Sequence, residues 1–201
     1  MTIRSLFATR LYQSALDDPQ LVADLDRSCH MLAEEDRAGR AWSKAQGYRG
    51  YTSYASLNDL PQRDPAIGDL VKVLNRHVAG FAEDCAFDLA GRKLKLDSLW
   101  VNVMKPGATH SGHIHPHSVV SGTVYLAVPP GAGAIRFEDP RLGLMMAAPL
   151  RRDDAPEELR RFVYVDPAPG MLLLWESWLR HEVMPHAGKN ERMSVSFNYR
   201  W

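Results

Sequence analysis

The sequence predicts an α+β fold, helical in its first half and a β-sandwich or barrel in its second. Three observations predict it. Two helix-start signals, Asp18-Pro19 and Asp64-Pro65, each precede apolar residues at helical spacing. From about residue 93 the apolar residues recur instead in short strand-like runs. Turn-forming clusters separate most of those runs, notably Pro129-Pro130-Gly131-Ala132-Gly133 and Asp166-Pro167-Ala168-Pro169-Gly170. Helices followed by a succession of short strands make an α+β chain.

In chain order, Ile3, Leu6, Phe7 and Leu11 alternate enough to predict an opening strand over 3–12. The first helix starts at Asp17-Asp18-Pro19, carries Leu21, Leu25, Ser28/Cys29 and Leu32 on one face, and stops near Gly39. A Gly/Tyr/Ser stretch, Gly47 to Tyr54, reads as loop. The second helix carries Ile67, Leu70, Val71, Leu74, Val78, Phe81 and Cys85. Strands are predicted at 94–104, 119–128, 134–138, 161–165, 171–177, 179–184 and 191–199. The segment from Arg141 to Arg160 is long, proline-containing and of mixed charge, and reads as a surface loop that could serve as a lid.

The totals bound the function. A chain of 201 residues fits one domain, here a helical part over 1–92 and a β core over 93–201. Lys plus Arg and Asp plus Glu both number 24, so no net field draws the protein to nucleic acid or an anionic membrane. Two cysteines, Cys29 and Cys85, are too few for a secreted disulfide scaffold and point to a reducing compartment. Met1 to Phe7 lacks a signal-peptide core, and no apolar stretch has the length of a membrane span. The expectation is a cytoplasmic protein acting on a small-molecule or peptide substrate, with a homodimer open to it.

The chemistry concentrates in histidine. Four of the eight histidines, His110, His113, His115 and His117, fall within eight residues. Neutral imidazole suits iron, zinc, copper and nickel at neutral pH. Residues two apart on a strand share a face, so His113 and His115 can aim both rings at one point. Pro116 interrupts regular pairing before His117, and His110 reads as a surface group or one set behind the ligands. The plain alternative is a solvated histidine-rich loop without an ion. A third ligand has to come from elsewhere. His181, following the apolar run Met171 to Trp175, is the candidate, and His186 between Pro185 and Gly188 reads as an exposed turn residue. The run His181 to His186 is not a helical zinc-protease motif: three residues separate Glu182 from His186, and Pro185 would break the helix.

Eleven residues after His181, Arg192 opens the alternating run Arg192-Met193-Ser194-Val195-Ser196-Phe197-Asn198. Arg192 and Ser194 therefore share a strand face. If that face lines the barrel, the buried cation demands an anion, and a ligand carboxylate matches the guanidinium fork. If the face is exposed, a surface carboxylate pairs with it.

These residues together resemble the 2-oxoglutarate- and iron(II)-dependent oxygenases. His113-Ile114-His115-Pro116-His117-Ser118, followed by Ser121-Gly122-Thr123-Val124-Tyr125-Leu126, resembles a branch in which a His-x-His-Pro motif precedes a Ser-Gly-x-x-Tyr strand. The resemblance spans about residues 98–200 and implies a double-stranded β-helix (jelly roll) with the N-terminal helices packed on one sheet. It implies Fe(II) on His113, His115 and His181, with 2-oxoglutarate as cosubstrate and O2 as oxidant. It implies Arg192, helped by Ser194, on the far carboxylate of 2-oxoglutarate; Tyr125 and Asn102 are further polar candidates facing the cosubstrate. The family's usual second ligand is Asp or Glu, and this chain has His115. Three imidazoles leave the ion its full charge and also suit zinc. Three alternatives follow: a cupin-type metal enzyme without 2-oxoglutarate, a non-catalytic metal-binding barrel, and a three-histidine zinc hydratase or hydrolase. The cupin reading finds Gly107 and His113-x-His115 but lacks its glutamate, having Ser118-Val119-Val120 instead.

Overall fold

The computed structural model describes residues 2–201. The first strand, β1 (Leu11–Ala15), starts later than predicted, and residues 3–10 before it form no strand. Ile3, Leu6 and Phe7 are exposed, so their spacing encodes no buried face. Helix α1 (Pro19–Glu35) starts as predicted: Asp18 accepts the Leu21 amide at 3.0 Å, and Pro19 occupies the first turn, where no amide hydrogen bond is needed. Leu21, Leu25 and Cys29 form its buried face.

The chain does not stop at Gly39. Asp36 ends α1 and caps a second helix, α2 (Arg37–Ala45), whose Gly39 amide it accepts at 2.8 Å. The same carboxylate accepts from Tyr51 Oη at 2.9 Å and Ser56 Oγ at 2.5 Å. Burial alone would raise the Asp36 pKa, but the hydrogen bonds from Ser56, Gly39 and Tyr51 outweigh it and hold the carboxyl below its usual range. This junction ties the predicted loop 47–54 to the helices. Within that loop Gly50–Thr52 forms an edge strand, β2, which three residues cannot announce by periodicity. A short helix, α3 (Leu60–Arg63), precedes α4 (Pro65–Asp84), which starts with Asp64 accepting the Ile67 amide at 3.1 Å. Ile67, Leu70, Leu74, Val78 and Phe81 are buried along one stripe of α4.

Eight more strands follow: β3 (Lys95–Met104), β4 (His110–His113), β5 (Val120–Ala127), β6 (Ile135–Glu138), β7 (Phe162–Val165), β8 (Met171–Glu176), β9 (His181–Val183) and β10 (Arg192–Arg200). They build a six-stranded sheet in the order β1-β8-β5-β10-β3-β2 and a four-stranded sheet in the order β4-β9-β6-β7. Every pairing is antiparallel. This is the double-stranded β-helix, with helices α1 and α4 covering one face of the larger sheet.

Alternation along the large sheet divides core from cavity. Val101 and Val103 of β3, Val124 and Leu126 of β5, Leu172 and Leu174 of β8, and Met193, Val195 and Phe197 of β10 join the helix stripes in the main core. The intervening residues point the other way, toward the small sheet. On β10 these are Arg192, Ser194, Ser196 and Asn198. Register places Ser194 beside Asn102 of β3 on one side and Tyr125 of β5 on the other. A one-residue slip would bury the polar set against the helices and turn the apolar set into the cavity, so the pattern fixes the register.

Residues 141–160 contain two 3-10 turns, Leu142–Leu144 and Glu157–Leu159, and contribute nothing to the cavity wall, so the lid expectation finds no support. Cys29 and Cys85 are free. Among the described residues, no helix is long and apolar enough to cross a membrane.

Candidate metal and cosubstrate site

A cavity of about 680 Å3 lies between the two sheets, within the range of small-ligand sites. His113, His115 and His181 meet in it, each offering one ring nitrogen, with the three nitrogens within 4.8 Å of one another. His113 and His181 face each other directly across the β4–β9 pair. The backbone assigns their tautomers. His113 Nδ1–H donates to the Ser111 carbonyl at 2.7 Å, and His181 Nδ1–H donates to the Leu179 carbonyl at 2.8 Å. Each Nε2 is thereby left with its lone pair directed inward.

His115 arrives by a different route from the one its spacing predicts. Strand β4 ends at His113, so His115 does not share its face through strand alternation. Its backbone N–H donates to the Ser177 carbonyl at 3.0 Å, and its ring stacks on Trp100 with centroids 5.9 Å apart. Those contacts bring His115 Nε2 to 3.3 Å from His181 Nε2. With metal–nitrogen bonds of about 2.1 Å, two ligand nitrogens at a right angle lie about 3 Å apart. The spacing and the two fixed tautomers fit one divalent ion. His117 sits at φ 68° in the turn that follows and is absent from the cavity wall.

Burial favours the neutral, metal-ready form of His181 and His115. It lowers the His181 pKa to about 3 against the opposing effect of the Leu179 carbonyl, and burial with neighbouring His113 lowers His115 to about 4. His110 is lowered to about 4 by burial and by Arg192. All three values lie below the ordinary histidine value near 6.5. Below pH 6.5 the unfolded chain takes up protons that the folded, metal-free protein refuses. Stability is therefore complete above that pH and lost as pH falls toward 4. Thermal unfolding of the metal-free protein should show Tm falling across this window, and a flat profile would contradict the burial of these rings.

Arg192 lies deeper in the same cavity and is 2% exposed. Its Nη1 reaches Met104 Sδ at 3.1 Å, its Cζ lies 4.8 Å from the centre of the Tyr125 ring, and its Nε has no hydrogen-bond partner. Among the described residues no carboxylate pairs with it. Tyr125 Oη, also buried, is likewise unpartnered. An unpaired guanidinium in an enclosed site is costly unless a ligand anion completes it. Ser194 lines the same wall. Asn102 also faces the cavity, with its Nδ2 donating to Ser196 Oγ at 3.2 Å. All seven residues singled out in the sequence are brought to one cavity.

One correction concerns His186, while His110 is set behind the ligands, one of the two placements expected of it. His186 is buried, not exposed: Nε2 lies 2.6 Å from the Asn190 carbonyl, and Nδ1 can accept the Gly188 amide at 3.3 Å. These bonds make it a turn brace away from the metal ligands. His110 lines the cavity and sits 2.8 Å from Tyr48 Oη. Sequence reasoning missed Tyr48, which arises from an irregular segment. Trp100 shares parity with Asn102, so the alternation that picked out Asn102 could have picked it out as well.

The family model described as "Putative 2OG-Fe(II) oxygenase" matches residues 98–198, the segment that holds every residue of this cluster. No curated protein matches the chain. Among solved structures, a Pseudomonas putida prolyl-4-hydroxylase is similar at TM-score 0.62 and 19% identity, covering 96% of this chain and 94% of its own. The non-heme alpha ketoglutarate dependent epimerase SnoN from nogalamycin biosynthesis is similar at TM-score 0.64 and 17% identity, covering 95% and 76%. HygX from Streptomyces hygroscopicus, solved with nickel and 2-oxoglutarate bound, gives TM-score 0.62 and 16% identity, covering 95% and 82%. At such identities the structures show a shared fold. The match over the β core goes further, and by it this chain belongs to the 2OG-Fe(II) oxygenase family.

Proposed function

We propose that His113, His115 and His181 hold the Fe(II), that Arg192 and Ser194 hold the far carboxylate of 2-oxoglutarate, and that the enzyme oxidises a C–H bond of a small molecule or peptide side chain. The buried guanidinium of Arg192, without a protein anion, carries this reading. Bound iron and 2-oxoglutarate supply oxidation by O2, coupled to decarboxylation of the cosubstrate to succinate.

The chain's own residues bind, orient and exclude water. The Ser111 and Leu179 carbonyls keep two imidazoles in the tautomer that presents a lone pair. Arg192 supplies two parallel donors to a carboxylate, an arrangement that fixes direction as well as charge. Tyr125 Oη is free to add a donor beside it. Asn102 and Ser196 hydrogen-bond to each other and keep this wall polar. Trp100 and Trp175 shield the imidazoles; Trp175 lies edge-on to His181 at 4.7 Å.

The test is conversion of 2-oxoglutarate to succinate by protein loaded anaerobically with Fe(II) and then exposed to O2, followed by NMR. Slow succinate formation without added substrate is expected, with none from zinc-loaded protein. Protein that holds iron but neither binds nor consumes 2-oxoglutarate would favour the cupin or non-catalytic alternative.

A further inference from the structure

We infer that the substrate is an elongated organic anion, with its negative group taken by Arg49 at the cavity rim and its apolar body lying toward Tyr54 and Trp100. This deepens the oxygenase reading and rests on it. Charge gives the first argument. Among the described residues no Asp or Glu lines the cavity, while two arginines, Arg49 and Arg192, do. The acidic groups near the site are committed elsewhere. Glu182 points outward from β9 and pairs with Arg136, Glu138 pairs with Arg180, and Asp36 is held by Tyr51, Ser56 and the Gly39 amide. Three neutral imidazoles also leave a divalent ion's charge undiminished, where a carboxylate ligand would have removed one unit. With dianionic 2-oxoglutarate bound, the cavity retains an excess positive charge, which favours a further anion.

Placement gives the second argument. The Arg49 side chain is exposed, and its surroundings set where it lies. Its backbone carbonyl accepts the Lys105 amide at 3.0 Å, and its guanidinium lies against Gly107 so closely that a Cβ there would come within 2.8 Å of Nη1. Gly107 has φ 79°, so glycine provides both the turn and the bed for the arginine. Among the described residues Arg49 has no ion-pair partner, whereas Arg192 is buried and matched to the cosubstrate.

Shape gives the third. Five residues further on, beyond the edge strand β2, Tyr54 packs edge-to-face on Trp100 at 5.3 Å, and Trp100 stacks on His115. Tyr54 is 61% exposed and forms an aromatic wall at the mouth. Arg49, Tyr54 and the three histidines all line the same cavity, so a molecule touching both rim residues lies in the space that holds the histidine cluster.

The test uses nickel(II)-loaded protein saturated with 2-oxoglutarate, whose own binding is measured first. Three matched pairs are then titrated by calorimetry: 3-phenylpropanoate, 4-phenylbutanoate and 6-phenylhexanoate, each against its amide. The acids should bind about tenfold tighter than the amides, the size expected of a charge-assisted hydrogen bond. Arg49→Ala should remove that preference by weakening acid binding alone, and Arg49→Lys should restore part of it. Equal binding of acids and amides overturns the inference. So does a preference that survives Arg49→Ala, or failure of every acid to bind protein that does bind 2-oxoglutarate. Failure of 2-oxoglutarate itself to bind would instead overturn the oxygenase reading, and this inference with it.

Discussion

Replacing Arg192 with Met should weaken 2-oxoglutarate binding by about 100-fold or more while leaving the metal-free protein as stable as before, or more so. Both halves follow from one local fact. Arg192 is 2% exposed, its Nε has no partner, and its Nη1 donates to the thioether sulfur of Met104. In the absence of an anion the guanidinium is a buried charge stabilised by little beyond the Tyr125 ring, an interaction of about 0.5–2 kcal/mol. Removing an uncompensated buried charge in favour of an apolar side chain of similar volume is neutral or stabilising. Once a carboxylate arrives, the same guanidinium makes charge-assisted hydrogen bonds of about 1.5–3 kcal/mol each, and two of these lost together exceed two orders of magnitude in affinity. Arg192→Lys keeps the charge without the fork and should recover only part of the affinity. Calorimetric titration of the metal-loaded protein and thermal unfolding of the metal-free protein measure the two halves. A variant that binds 2-oxoglutarate normally but unfolds several degrees earlier would make Arg192 a structural residue.

The sequence was most legible where a single physical rule acts over many residues. The helix starts at Pro19 and Pro65 follow from an aspartate cap and a proline in the first turn, and both caps form. The inward face of β10 follows from strict alternation over Arg192 to Asn198, which the register to β3 and β5 satisfies. Legibility fails where tertiary contacts make the decision. Nothing local distinguishes Ile3, Leu6 and Phe7 from a strand face; they lack only a partner sheet. Asp36, a helix cap for a second helix, overrides the stop expected near Gly39 because Tyr51 and Ser56 converge on its other oxygen. His115 was selected for an alternation that the backbone abandons after His113. Its ring still reaches the cluster because Ser177, more than sixty residues away, holds its amide. The reading of His186 failed for a related reason: Pro185 and Gly188 do mark a turn, but the turn packs inward, with the imidazole accepting the Gly188 amide and donating to the Asn190 carbonyl.

His181→Ala should reduce metal affinity by more than about 100-fold, a larger effect than loss of a group that merely orients a ligand, which costs about 10–100-fold. Of the three imidazoles it is the most deeply buried, at 4% exposure, and the only one contributed by β9. Without it, His113 and His115 remain as two half-buried donors on one stretch of chain, too few to hold a divalent ion against water. The expected signature is specific. Metal content after purification and chelator competition should collapse, while 2-oxoglutarate binding falls with it because the near end of the cosubstrate has lost its anchor. Arg192→Met should show the opposite order, retaining metal and losing cosubstrate. The fold should survive, since His181 hydrogen-bonds locally to Leu179 and the surrounding core is supplied by Phe137 and Trp175. Acid sensitivity should also diminish, because one buried ring that resists protonation has been removed. Retention of metal by His181→Ala would mean that the ion is held by His113, His115 and a different third group. His110, on the same cavity wall and already partnered by Tyr48, would then be the residue to replace next.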